Sequence, residues 1–191
     1  KFVLAQAVYQ AITYLGMEGG WYSNAIYLYS YGFYLFFDFA GYSLMAIGTS
    51  YILGIITPRN FREPFLSIDI KDFWDRWHIT LSYWFRDFVF SRFMMASMKG
   101  KWFKSKLTGA SIGFMVNMLL MGLWHGLTYS YILYGLYHGV LLAITEIYQK
   151  KSKFYKKHKK EKWYKIVSWF ITFNLVMFGF FIFSGRFLEI I

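Results

Sequence analysis

Long apolar stretches alternate with short basic ones along the whole chain. Residues 2–17 are apolar apart from Gln6, Gln10 and Thr13. Gln6 and Gln10 are four apart and share a helical face, so the segment predicts a short or partly exposed membrane helix. Glu18-Gly19-Gly20 predicts a break. Tyr22 to Ile56 is an apolar run whose only charge is Asp38. It exceeds the roughly 20 residues that a helix needs to cross a bilayer, and predicts either one long tilted helix or two pieces hinged near Gly41. Pro58 ends the run. Residues 59–71 then form a polar loop, with Ser67 or Asp69 placed to cap the next helix.

The expected next helix, Phe73 through Met98, is aromatic yet carries Asp75, Arg76, Arg86, Asp87 and Arg92. That charge load excludes an ordinary lipid-facing span and predicts a re-entrant or interfacial element buried against other helices. Lys99, Lys101, Lys104 and Lys106 make a basic loop. Leu107–Leu127 and Tyr131–Ile147 read as two spans joined by a short turn, Lys150–Lys165 as a hydrophilic basic linker, and Ile166–Ser184 as a last span. The basic segments near 59–76, 99–106 and 150–165 are expected on one side, the cytoplasmic one, which gives a multi-pass protein of the cell membrane.

Composition sharpens this picture. Of 191 residues, 57% are hydrophobic, 25% aromatic and only 16% charged, and the mean hydropathy is +0.34. The fold class is therefore all-α and polytopic, with membrane lipid as the surroundings. The net charge of +11 is clustered between apolar runs, as suits loops facing anionic lipid; a nucleic-acid-binding protein would not carry bilayer-length apolar runs. The chain has no cysteine, which excludes disulfides, thiolate catalysis and thiolate-bound metal. It opens at Lys1 and is already apolar at Phe2, so residues 1–191 are expected to be a single membrane-embedded domain that forms part of a longer protein.

Candidate chemistry centres on Asp72-Phe73-Trp74-Asp75-Arg76-Trp77-His78 and on Trp124-His125-Gly126. An imidazole within a span can take a proton from a hydroxyl, and intramembrane ionisable groups are costly enough to be functional by default. His125 is the first candidate, with Trp124 as an apolar wall; the alternative is a core histidine bonded to a carbonyl of the next helix. His78 follows, with Asp75 at i−3 available to orient its ring and Arg76 able to pair with Asp72 at i−4; the alternative is a buried polar strut. Asn117, eight residues before His125, lies on roughly the same face and either lines the same cavity or joins two helices. Asp38 is expected to steady Arg76, Arg86 or a histidine. His138 is read as structural, packed across the hairpin from His125. None of the compact histidine pairings of a metal helix is present, so no metal is expected, and no phosphate-binding loop occurs.

Five stretches together resemble the membrane-bound O-acyltransferase family: Phe36-Phe37-Asp38-Phe39-Ala40-Gly41-Tyr42-Ser43, Asn60-Phe61-Arg62-Glu63-Pro64-Phe65, Phe73-Trp74-Asp75-Arg76-Trp77-His78, Trp84-Phe85-Arg86-Asp87 and Gly122-Leu123-Trp124-His125-Gly126. Ser91-Arg92-Phe93-Met94-Met95 and Tyr134-Gly135-Leu136-Tyr137-His138-Gly139 look more like its branch that transfers D-alanine to teichoic acid. The resemblance covers the C-terminal half of such a protein. It implies a helical bundle with a central tunnel and acyl transfer inside it. It matches His125 to the family's near-invariant histidine and His78 to its second active-site position. It further implies a D-alanyl carrier protein as partner, with the acyl thioester on that carrier's phosphopantetheine arm, no cofactor bound by the chain itself, and teichoic acid as acceptor. Asp75, Asp38, Arg76, Trp124 and Asn117 would then position the two histidines. The nearest rival is O-acetylation of an exported polysaccharide of the alginate type. Rivals of other classes are a channel or proton-coupled transporter, and a scaffold that recruits the carrier.

Overall fold

A computed structural model of the chain describes residues 1–15 and 20–190. The break expected at 18–20 thus lies, at residues 18 and 19, outside the described residues. The described residues form helices and connecting turns, with no strand among them.

Helix α1 (Phe2–Leu15) lies along α2 (Trp21–Ile52), with Lys1 and Phe2 against Gly41 and Tyr9 against Tyr34. The alternatives left open for the long apolar run resolve in favour of one helix: α2 is unbroken over 32 residues, about 48 Å at helical rise. Gly41 is a contact point for α1, not a hinge.

The expected helix from Phe73 to Met98 is corrected. Asp69 caps a short α3 (Ile70–Trp74) by accepting from the Asp72 N–H at 2.9 Å. Ser67 instead turns its buried hydroxyl to the Pro64 carbonyl. The chain then leaves the helix, and His78 adopts a left-handed backbone (φ 45°) before α4 (Ile79–Phe85) begins. A single π-turn (Arg86–Phe90) joins α4 to α5 (Ser91–Lys99). Sequence periodicity ran through this break because its cause is tertiary. The Arg62 N–H donates to the Arg76 carbonyl, and the Ile79 N–H to the Asn60 carbonyl, so the preceding loop takes bonds that a continuous helix would make internally.

Helices α6 (Lys106–His125) and α7 (Tyr129–Lys151) form a tight antiparallel hairpin. Glycines set its closeness: a Cβ on Gly135 would lie 2.5 Å from the Met118 carbonyl oxygen, and one on Gly139 2.9 Å from the Met115 Cα. Small residues four apart let two apolar helices meet backbone to backbone, which is how helices associate where no water drives them together. Gly126 ends α6 at φ 152°, a region that side chains disfavour. The linker expected at 150–165 is largely helical: α7 runs to Lys151, α8 spans Lys153–His158 and α9 starts at Lys162.

Helix α9 (Lys162–Phe183) packs against α7 and α2, followed by a short α10 (Arg186–Ile190). Tyr29 of α2 donates to Asn174 of α9 at 2.6 Å, and Tyr137 of α7 to the Leu175 carbonyl at 3.0 Å. Among the described residues, α6, α7 and α9 are long and apolar enough to cross a membrane. The core beneath the site is aromatic and sulfur-rich, with Phe73, Trp77, Met118, Met121, Met177 and Phe180 all buried.

Candidate active site

The backbone break at His78 aims its ring rather than merely ending a helix. Its Nδ1 lies 3.1 Å from Asn60 Oδ1, and Phe39 meets the ring edge-on at 4.6 Å between centroids. Asn60 Oδ1 also receives the Thr80 hydroxyl at 3.0 Å, while Asn60 Nδ2 donates to Ser43 Oγ of α2 at 3.1 Å. An amide oxygen only accepts, so the His78 proton resides on Nδ1 and Nε2 carries the lone pair. Burial, and after it the charge of His125, hold the His78 imidazole down at about 4. The ring is therefore neutral near pH 7.

Asn60 was not singled out for chemistry in the sequence. Only its place in a family-like stretch marked it, because its role depends on three segments distant in sequence. Asp75, expected to orient the His78 ring, does not provide the observed bond; it is exposed and lines a neighbouring cavity. Arg76 pairs with Asp72 at 2.6 Å, as its spacing predicted. Asp38 departs from expectation: it faces α1, in a shallow pocket with Gln6, Gln10 and Tyr34, and no ion pair to Arg76 or Arg86 occurs among the described residues. Gln6 and Gln10 thus present one polar face to the α2 carboxylate.

His125 closes α6 and packs among aromatic rings, with Trp124 at 4.9 Å, Phe183 of α9 at 5.1 Å and Tyr131 of α7 at 5.9 Å. Trp124 touches the ring edge-on but is itself 58% exposed, so it walls one side only. His138 does not meet His125 directly. Tyr134 stands between them, 6.5 Å from His125 and 4.7 Å from His138. His138 is fully buried, and neither of its ring nitrogens has a hydrogen-bond partner among the described residues. That isolation supports its reading as a packing residue.

A cavity of about 300 Å³ lies between α3, α4 and α6, lined by Lys71, Trp74, Asp75, Tyr83, Arg86 and Asn117 among others. Asn117 therefore lines a cavity that His125 does not. Trp74 Nε1 and Asn117 Oδ1 are buried without partners among the described residues, one a donor and one an acceptor. Lys71 is tied to Glu146 of α7 and reaches Gln149 at 3.2 Å, and Gln149 donates to Asp69. The cap of α3 is thus fastened to the lysine-rich end of α7. No cluster of histidine, aspartate and glutamate among the described residues has the geometry to hold a metal ion.

Residues 8–187 match the membrane-bound O-acyltransferase family. The chain is 47% identical to the teichoic acid D-alanyltransferase of Bacillus subtilis (strain 168), over 97% of this chain and 48% of that protein. It is 48% identical to the Streptococcus thermophilus protein of the same name, over 83% of this chain and 40% of that one. It is also 36% identical to the probable alginate O-acetylase AlgI of Pseudomonas syringae, over 82% of this chain and 27% of that protein. The chain spans half or less of the length of these relatives.

Proposed function

Because this chain belongs to the membrane-bound O-acyltransferase family, we propose that it carries the catalytic histidines of an enzyme that moves D-alanine from a carrier-protein thioester towards hydroxyls of teichoic acid. The observation that carries this reading is the backbone break that presents His78 as a neutral imidazole, its Nδ1 held by Asn60 and its Nε2 left as an acceptor. His125 acts on it electrostatically, adding to burial in holding the His78 imidazole down.

A thioester is already activated, so the protein's work is to deprotonate the attacking hydroxyl, stabilise the oxyanion and keep water out. His125 takes the hydroxyl proton as the oxygen adds to the thioester carbonyl. The C–S bond then breaks, the acyl group stays on the new ester oxygen, and the departing sulfur receives the proton. His78 Nε2 accepts a hydrogen bond from a second N–H or O–H of the bound substrates and so orients them, a positioning role that the neutral tautomer permits. The donor's phosphopantetheine arm enters the cavity beside Trp74, where its amides complement the unpaired Trp74 N–H and Asn117 carbonyl. Lys71 and Arg86 suit its phosphate, and the four lysines of residues 99–106 suit an acidic carrier. On this reading that basic segment is cytoplasmic and His125 lies towards the outer end of its span.

The same histidines would serve O-acetyl transfer, and the identity to an alginate O-acetylase keeps that reading in view. The deciding experiment supplies the full-length protein in membranes with labelled D-alanyl carrier or with a labelled acetyl donor. D-alanyl transfer that is abolished in His125→Ala supports the proposal. Acetyl transfer alone, or D-alanyl transfer undiminished in His125→Ala, overturns it.

A further inference from the structure

A second cavity, of about 420 Å³, lies away from the histidines, between α7, α8 and α9 at the lysine-rich end of the bundle. Its two halves differ in chemistry. Deeper along the spans, Ile144 of α7 and Val167 and Ile171 of α9 line it and are 56%, 47% and 51% exposed. Nearer the end of the bundle, Tyr148, Tyr155 and Tyr164 make an aromatic collar, with ring centroids 5.6 and 6.1 Å apart. Lys159 closes the cavity, its ammonium 5.6 Å from the Tyr155 ring. A separate groove of about 410 Å³ runs along the other flank of Ile144 and Tyr148 and reaches Lys151.

The charge around this collar is one-sided. Residues 150–165 contain nine lysines and one acid, Glu161. Glu161 is already engaged by His158 at 2.9 Å and by the Trp163 ring N–H. None of the nine lysines is in an ion pair among the described residues. The Asp69 carboxylate at the cavity wall is also occupied, accepting from the Asp72 N–H and from Gln149.

We propose that this cavity is a binding site for an anionic phospholipid. The phosphate sits at Lys159 within the field of the neighbouring lysines, the glycerol region lies on the tyrosine collar, and one acyl chain runs along Ile144, Val167 and Ile171. The second chain follows the flanking groove. Depth favours a lipid over a soluble protein. Ile171 is nine residues into α9 from Lys162, about 14 Å along the axis, which lies in the hydrocarbon layer when the lysines lie at the headgroups. Aromatic side chains belong at that boundary, and basic clusters at the ends of spans attract anionic headgroups. The site is independent of which acyl group the protein transfers.

The test places full-length protein in nanodiscs of equal parts phosphatidylglycerol and phosphatidylcholine, releases it gently and counts retained lipid by native mass spectrometry. The expected result is retention of phosphatidylglycerol over phosphatidylcholine, cut by about 100-fold in the triple variant Lys159→Gln, Lys160→Gln, Lys162→Gln, since each lysine near a headgroup contributes about fivefold. Lys101→Gln with Lys104→Gln leaves retention unchanged. Val167→Phe fills the apolar half and lowers retention with every charge in place, and it serves as the second variant if the triple one fails to fold. Equal retention of the two lipids overturns the site, as does equal loss from the Lys101 and Lys104 changes, which would mean diffuse charge. A triple variant that keeps phosphatidylglycerol but loses an acidic carrier protein also overturns it, in favour of protein docking.

Discussion

Asn60 Oδ1 lies 3.1 Å from His78 Nδ1, and this bond decides what the His78 ring can do. It fixes the proton on Nδ1, exposes Nε2 as an acceptor and holds a left-handed backbone that is worth about 1–2 kcal/mol of local strain. Replacing Asn60 with Ala frees the ring to rotate and change tautomer. Acyl transfer should fall on the order of 10- to 100-fold, mainly in kcat, measured as label moved per minute in membranes. Unchanged turnover would mean that the orientation of His78 does not matter.

Asn60→Asp gives the same bond a pH readout. His78 is held at about 4, below its ordinary value, so in the native protein it stays neutral as pH falls from 7 to 5. A depressed imidazole favours the folded state above the ordinary histidine range and loses that contribution as pH falls towards 4. A carboxylate against Nδ1 favours the imidazolium and raises the folded value. The acid limb of the pH–rate profile should therefore move to higher pH in Asn60→Asp, while Asn60→Ala shows no such move.

The two histidines should differ in kinetic signature. His125→Ala removes the base and should cost on the order of 10²- to 10⁴-fold in kcat. His78→Gln keeps a hydrogen-bond acceptor at that position and should cost less. Equal losses in the two would argue that both rings act as bases.

His138 tests the opposite expectation. It is fully buried with both ring nitrogens unpartnered, and an unpaired buried polar group costs about 1–3 kcal/mol. His138→Leu, close in volume, should leave the melting temperature in detergent unchanged or raised and acyl transfer near normal. A large loss of transfer with a normal melt would give His138 a part in the chemistry.

Gly135 holds the hairpin that carries His125. A leucine there must displace the Met118 carbonyl or part α6 from α7. Overpacking of this kind typically costs about 1–3 kcal/mol, so Gly135→Leu should lower the melting temperature and move His125 from its Tyr131 and Tyr134 neighbours, with transfer falling in parallel. A normal melt with full activity would show that the two backbones need not be this close.

Much of the frame was set by the chain itself. Apolar runs of bilayer length and their basic borders determined α6, α7 and α9 to within a few residues, and the apolar run before Pro58 determined α2, because a helix's hydrophobicity is local and additive. The i−4 spacing determined the Asp72–Arg76 pair, and the stretches around His78 and His125 carried the family likeness. What only the tertiary structure decided is the break at His78, the replacement of Asp75 by Asn60 as the ring's partner, the turning of Asp38 towards α1, and the separation of Asn117 from His125. Each of these depends on hydrogen bonds or packing between segments distant in sequence. Periodicity records which face of a helix is apolar, and it holds no information about which remote amide will claim a backbone N–H.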